Sequence, residues 1–233
     1  MDKTKLICRL REQLAKAKEQ RLLVKNDPAT LTSCMALKTF QSQRLSRTHT
    51  DLLDAPNTRE AALFFLEELY GARDLTQRDS DVERIIPTLE KLMPYHTLEA
   101  ITDAITLDAL SETLDSIMAK HLGQYFDAAD YASVYREFTT SEERERQIHL
   151  VQALGNSLCH LVRIPLLSVT LMMMRGPAKM AKLANLQNFL ERGFTTFKAM
   201  KQPQAFVQAI TERELQISAN IFAGEVDPFT LQE

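Results

Sequence analysis

Apolar residues recur at steps of three and four along most of the chain, the spacing that lines one face of an α-helix. Residues 3–25 place Ile7, Leu10, Leu14 and Ala17 on a narrow stripe, with Leu6, Leu22, Leu23 and Val24 beside it. Asp27 and Pro28 then supply an N-cap and a first turn for a second helix reaching about His49. Together they predict an N-terminal helical hairpin. Ala55, Pro56 and Asn57 separate it from a denser stretch, Ala61 to Gly71. Here Ala62, Phe65, Leu66 and Leu69 share a stripe that Leu63, Phe64 and Tyr70 widen until only a thin polar strip is left. That pattern predicts a helix enclosed by others and ended by Gly71.

Ser80 and Glu83 stand in capping-box spacing before Val82, Ile85, Ile86 and Leu89, with Pro87 expected to kink that helix or delay its start. After Pro94, Thr97 is the expected cap of a helix whose stripe shifts phase near Thr106, which predicts a bend or break there, and Gly123 closes it. Asp127 caps a short helix, and Thr140 with Glu143 opens a long one striped by Val151, Leu154 and Leu158. Gly155 lies beside that stripe, where another backbone is expected to approach closely. Pro165 is expected to bend or split the run to Met174, and Gly176 with Pro177 to stop it. A helix over about 178–200, with Gly193 as a second contact point, and another from Pro203 to Gly224 complete nine or ten. The fold class expected is all-α, a single multi-helix bundle with a basic hairpin over residues 1–54, a helical body over 55–224 and a flexible tail over 225–233.

Composition agrees with this picture: 45% of the 233 residues are apolar, with only 6 glycines and 8 prolines. The longest uncharged apolar run, Ile164 to Met174, falls short of the roughly 20 residues that cross a bilayer, so no transmembrane segment is expected. Three cysteines at unrelated spacings, and an N-terminus without the apolar core of a signal peptide, point to a reducing cytoplasm. Charge is lopsided: residues 1–50 hold 11 Lys and Arg against 4 Asp and Glu, a net +7, which leaves −10 for the remainder. A basic arm beside an acidic body fits nucleic acid, anionic lipid or an acidic partner, or an arm docked on its own body.

Within the dense stretch, Phe64, Phe65, Leu66, Glu67, Glu68, Leu69 and Tyr70 resemble the signature of the bacterial FFLEELY-motif proteins. Arg175-Gly176-Pro177 and Phe189-Leu190-Glu191-Arg192-Gly193-Phe194 extend the resemblance less fully, and the first 50 residues add nothing to it. The resemblance brings no established activity with it. Glu67 and Glu68 fall in the last turn of their helix, where the macrodipole disfavours carboxylates by roughly 0.3–1 kcal/mol each. A compensating cation is therefore expected, from Arg73, Arg78 or Arg59. A structural ion pair or a solvated edge is favoured over a metal ligand or general base, because no histidine stands near.

The chain has no glycine-rich phosphate loop and no nucleophile elbow. None of its five histidines follows a glutamate by three residues, as a helical di-iron site requires. His149 and His160 would lie about 16 Å apart along one helix, too far to share a metal. Cys159 and His160 point about 100° apart and do not face each other. No catalytic residue, metal or cofactor is expected. Two binding surfaces remain. The methionine-ended run offers a hydrophobic-ligand pocket at Leu167, Leu171, Met172 and Met174, for an acyl chain or isoprenoid, or a segment lying on a membrane surface. Arg9, Arg11, Lys16, Lys18 and Arg21 offer a basic surface for a protein partner or self-association. Nucleic acid is disfavoured there, because no aromatic residue precedes Phe40 to stack on bases. The expected function is binding, as an interaction or scaffold protein without catalysis. The alternative is a carrier or enzyme for a hydrophobic small molecule.

Overall fold

The computed structural model describes residues 2–68 and 76–231. In chain order its helices are α1 (Lys3–Lys25), α2 (Pro28–Thr48), α3 (Thr50–Asp54), α4 (Arg59–Glu68), α5 (Thr76–Leu92) and α6 (Tyr95–Leu122). They continue with α7 (Ala128–Phe138), α8 (Ser141–Leu161), α9 (Leu167–Met173), α10 (Arg175–Met180), α11 (Ala184–Ala199) and α12 (Pro203–Ala223). The protein is all-α, with no strand among the described residues.

α6 is the axis of the assembly. α1 packs along its length, α2, α7 and α8 take other sides of it, and α12 lies against α8. Leu98, Ile105, Ala109, Leu114, Met118 and Leu122 of α6 are all buried. The phase shift at Thr106 therefore marks a change of neighbours; of the bend or break expected there, the break does not occur, because the helix is continuous. Its N-terminal half faces α1 and α5, and its C-terminal half faces α2, α7 and α12. Buried Thr102 and Thr106 turn their hydroxyls back to the carbonyls of Leu98 and Thr102, both at 2.7 Å, so neither polar group is left unsatisfied.

Local signals set several boundaries as expected. The Asp27 carboxylate accepts from the Ala29 N–H, and Asp127 and Thr140 each form a full capping box. Gly224 ends α12 in the left-handed conformation, at φ 76°. Other boundaries move. α5 starts at Thr76, ahead of the Ser80 capping signal, and α6 starts at Tyr95, ahead of Thr97. The run to Met174 does end, with α9 closing at Met173, but Gly176 and Pro177 themselves lie in the first turn of α10, where a missing N–H costs nothing because no carbonyl awaits it. The interruption comes at Lys182, in the left-handed region at φ 57°, and divides the single helix expected over 178–200 into α10 and α11. Residues 225–231, expected to form a flexible tail, fold back, and Phe229 packs against Phe40 and Tyr131.

The α8–α12 crossing carries a testable constraint. A Cβ on Gly155 would stand 2.7 and 2.9 Å from the two γ-methyls of buried Val207. Gly155→Ala would gain up to about 1 kcal/mol of helix propensity, but a β-branched neighbour cannot swing aside. A net loss of about 1–2 kcal/mol is expected once overpacking is counted, measured as a lower urea midpoint with an unchanged slope.

Candidate functional site

The motif helix α4 is enclosed, with Ala61, Ala62, Phe64 and Phe65 each 5% exposed or less. Phe65 meets Phe197 and Phe206 at ring-centroid distances of 5.8 and 5.7 Å, and Phe64 meets Phe189 at 5.5 Å. α11 comes close because Gly193 has no side chain: a Cβ there would stand 2.9 Å from Phe64 Cζ. Glu67 pairs with Arg192, whose Nη2 lies 2.6 Å from its Oε2, while the side chains of Glu68 and of the expected partner Arg78 lie outside the described residues. The Arg192 guanidinium also lies 5.9 Å from the Phe64 ring centre. Sequence reasoning looked for this partner among neighbours in the chain, and the fold brings it from 125 positions away. With the two side chains 34% and 44% exposed, the pair contributes at most about 1 kcal/mol to the α4–α11 contact. Leu69, Tyr70, Arg73 and Gly71 lie outside the described residues.

At least five of the arm's 11 cations pair with its own body. Arg21 reaches Asp79 of α5, Asp108 of α6 at 2.5 Å and Glu112 of α6 at 3.5 Å, with its side chain 12% exposed. Lys38 of α2 meets the same Glu112 at 2.8 Å, and Gln41 donates to buried Asp115 at 3.0 Å. Burial works against the Arg21 charge, yet Asp108, Glu112 and Asp79 outweigh it and hold its pKa above the ordinary value. Burial pushes the Asp115 carboxyl the other way, upward. Arg9 pairs with Asp103 at 3.3 Å and Lys18 with Glu83 at 2.6 Å. Of the five residues expected to form a partner surface, Arg11 and Lys16 stay exposed on α1, while Arg9, Lys18 and Arg21 face α5 and α6.

A second buried cluster ties α2 to α12. Arg44 Nη1 donates to both Glu214 oxygens, at 2.5 and 2.7 Å, and His49 Nε2 lies 3.0 Å from Oε1. Desolvation would raise the Glu214 pKa, but the Arg44 charge and the hydrogen bonds from His49 and Arg44 overcome it and bring it down to about 2.

Residues 20–228 match a domain of unknown function, DUF8198. The chain belongs to that family. No curated protein and no solved structure matches it. The DUF8198 match takes in Arg21, the motif helix and all of α9 to α11, and leaves out Arg9, Arg11, Lys16 and Lys18.

Clefts open on the surface of this DUF8198 protein among the described residues. One, about 300 Å³, lies between α8 and α12 among His149, Gln152, Asn156, Gln204 and Gln208. Another, about 410 Å³, lies between α9 and α11 among Leu171, Met172, Phe194, Thr195 and Lys198. Leu171 and Met172, two of the four residues expected to line a hydrophobic-ligand pocket, border this cleft, whereas Met174 lies outside its lining and is 47% exposed. Leu167 is partly buried. His149 and His160 are both exposed, on the solvent side of α8 and not in the core. Among the described residues, no three His, Cys, Asp or Glu side chains converge as a metal would require, and no helix is long and apolar enough to cross a membrane.

The thiols divide sharply. Cys8 is exposed, while Cys34 and Cys159 are buried. Burial, reinforced by the nearby Asp115 charge, pushes the Cys34 thiol up to about 11, and burial raises Cys159 as well. Iodoacetamide at pH 8 is expected to label Cys8 in the native protein and to reach Cys34 and Cys159 only after denaturation, as read by peptide mass spectrometry. Labelling of native Cys159 would show a reactive thiol there.

The most unusual surface is the lobe formed by α9 and α10. No residue of α9 is buried. Leu166 is 74% exposed, Met173 72% and Met180 88%, beside exposed Ile164, Val169, Met172 and Met174. Leu166 at φ 65° and Lys182 at φ 57° bracket the lobe in the left-handed region without a glycine to ease it, at roughly 1–3 kcal/mol each. Bidentate pairing of Arg175 with Glu191, Nε to Oε1 at 2.8 Å and Nη2 to Oε2 at 2.5 Å, and Gln187 donating to the Leu171 carbonyl at 2.6 Å tie the lobe to α11.

Proposed function

We propose that this is a non-enzymatic binding protein whose contact surface is the α9–α10 lobe, with the hairpin serving mainly to complete the body. The observation that carries this reading is the concentration of seven exposed large apolar side chains between Ile164 and Met180. Leaving that much apolar surface in water is costly, and covering it releases about 25 cal/mol per Å². The arm that the sequence offered as a partner surface has, by contrast, many of its cations paired internally. Resemblance of Phe64–Tyr70 to the FFLEELY-motif proteins supports a bacterial origin, and three cysteines without a disulfide support a cytoplasmic location. The second reading, a carrier of an acyl chain or isoprenoid, draws on the cleft between Leu171, Met172 and Phe194.

Oxidative footprinting tests the first reading. Met172, Met173, Met174 and Met180 are expected to oxidise several-fold more slowly in a native extract that retains its membranes than in the purified protein. Equal rates in the two would refute it. The carrier reading requires that native mass spectrometry of gently purified protein show a retained lipid.

A further inference from the structure

Resting on the reading that the α9–α10 lobe is the contact surface, we propose that its partner is a membrane carrying anionic headgroups, on which the lobe lies without crossing. Three features select that occupant. Val169, Met172 and Met173 of α9 are 42–72% exposed, Leu166 at its N-cap is 74% exposed, and Met180 at the end of α10 is 88% exposed. The flexible, unbranched methionines on this protrusion suit the shallow, fluid boundary between headgroups and acyl chains. Charge is the second feature. Residues 162–201 hold seven Lys and Arg against one carboxylate, Glu191, and Arg175 already occupies that one. Among the described residues, no carboxylate lies within 4.0 Å of the basic groups of Arg163, Lys179, Lys182 or Lys201, and all four residues are exposed. Cations flanking an apolar tip are what a negative surface attracts, each adding to the partitioning of the apolar side chains.

The third feature argues against other occupants. A second copy docked on this patch by a two-fold axis would set its unpaired cations against an identical set, with no carboxylates to meet them. A protein partner would draw on aromatic anchors and pockets at the centre of the contact, and residues 163–188 contain no Phe, Tyr or Trp. The length of the run fits as well: 11 residues between Arg163 and Arg175 are too few to span a bilayer and enough to lie at its boundary.

Co-sedimentation of the full chain with vesicles tests the proposal. The protein is expected to pellet with equimolar phosphatidylcholine and phosphatidylglycerol and to stay in solution with phosphatidylcholine alone. High salt should weaken binding on the order of tenfold by screening. A Leu166→Glu, Met173→Glu double variant should weaken it on the order of tenfold or more, as should Lys179→Glu with Lys182→Glu. All four positions are exposed, so these variants are expected to keep the wild-type unfolding midpoint. Arg11→Glu with Lys16→Glu, on the hairpin, should bind like wild type. Absence of pelleting, equal pelleting with both lipids, wild-type binding by the Leu166 and Met173 variant, or loss through the hairpin variant would each overturn the proposal. So would a lipid-free dimer that Met173→Glu dissociates. Methionine protection that persists in an extract cleared of membranes, with no vesicle binding, defeats the membrane and leaves the binding reading standing. Absence of protection with membranes present defeats both.

Discussion

Arg21→Met is expected to lower the thermal midpoint by roughly 10 °C, the largest effect of any single substitution in the hairpin. The arginine sits 12% exposed among Asp79, Asp108 and Glu112, whose side chains are 1%, 13% and 11% exposed. Methionine matches the volume of the stem and leaves three enclosed carboxylates without their shared cation. Removing one partner from a buried charge cluster costs about 3–5 kcal/mol, far above the 0–1 kcal/mol of a surface pair. Lys18→Met gives the control. Its bridge to Glu83 leaves the two side chains 40% and 60% exposed, and its loss should move the midpoint by no more than about 2 °C. Equal small shifts for both variants, followed by differential scanning calorimetry, would mean that the arm is not anchored through Arg21.

Glu214→Gln is expected to destabilise the native state by about 3 kcal/mol at pH 7 and to flatten its acid limb. The sign follows from the direction of the shift. Glu214 is held well below its ordinary 4.5, at about 2, so its ionised form is favoured in the folded state. That contribution is complete above about pH 4.5 and is lost as pH falls toward 2. Chemical denaturation of wild type and variant across pH 2–7 should therefore give two curves that converge on the acid side. A constant gap at all pH values would show that Glu214 acts only through packing. His49, 3.0 Å from the same oxygen, offers a second entry: His49→Phe removes one donor and should reduce the gap without closing it.

Both predictions concern charges that the sequence displayed only as an imbalance. A net +7 over residues 1–50 was visible, and so was the option that the arm docks on its own body, but not the choice between that and an outside partner. The choice depends on Asp103, Asp108, Glu112 and Asp115 presenting successive turns of α6 to α1 and α2, a relation between helices that no local pattern encodes. Arg192 gives a similar lesson. The need for a cation near Glu67 could be argued from the helix dipole, whereas its pairing with Arg192 depends on Gly193 letting α11 approach Phe64.

The lobe was half legible. An apolar run closed by three methionines read equally as a core helix, a pocket wall or a membrane-surface segment, because periodicity reports that a face is apolar and not what covers it. The structure places most of that run in solvent, with left-handed Leu166 turning the chain outward at a position that carries no glycine to announce it.

By itself, the sequence determined the helical class, the enclosed motif helix, the caps at Asp27, Asp127 and Thr140, and that Gly155 and Gly193 are contact points, though the side chains of Val207 and Phe64, not another backbone, fill them. Each follows from interactions within a few residues, or from the absence of a side chain. The tertiary structure alone decided that α6 runs unbroken through Thr106, which cations are consumed internally, and which apolar face is left over. Those outcomes depend on the order in which helices compete for neighbours, and burial is a property of the assembled surface.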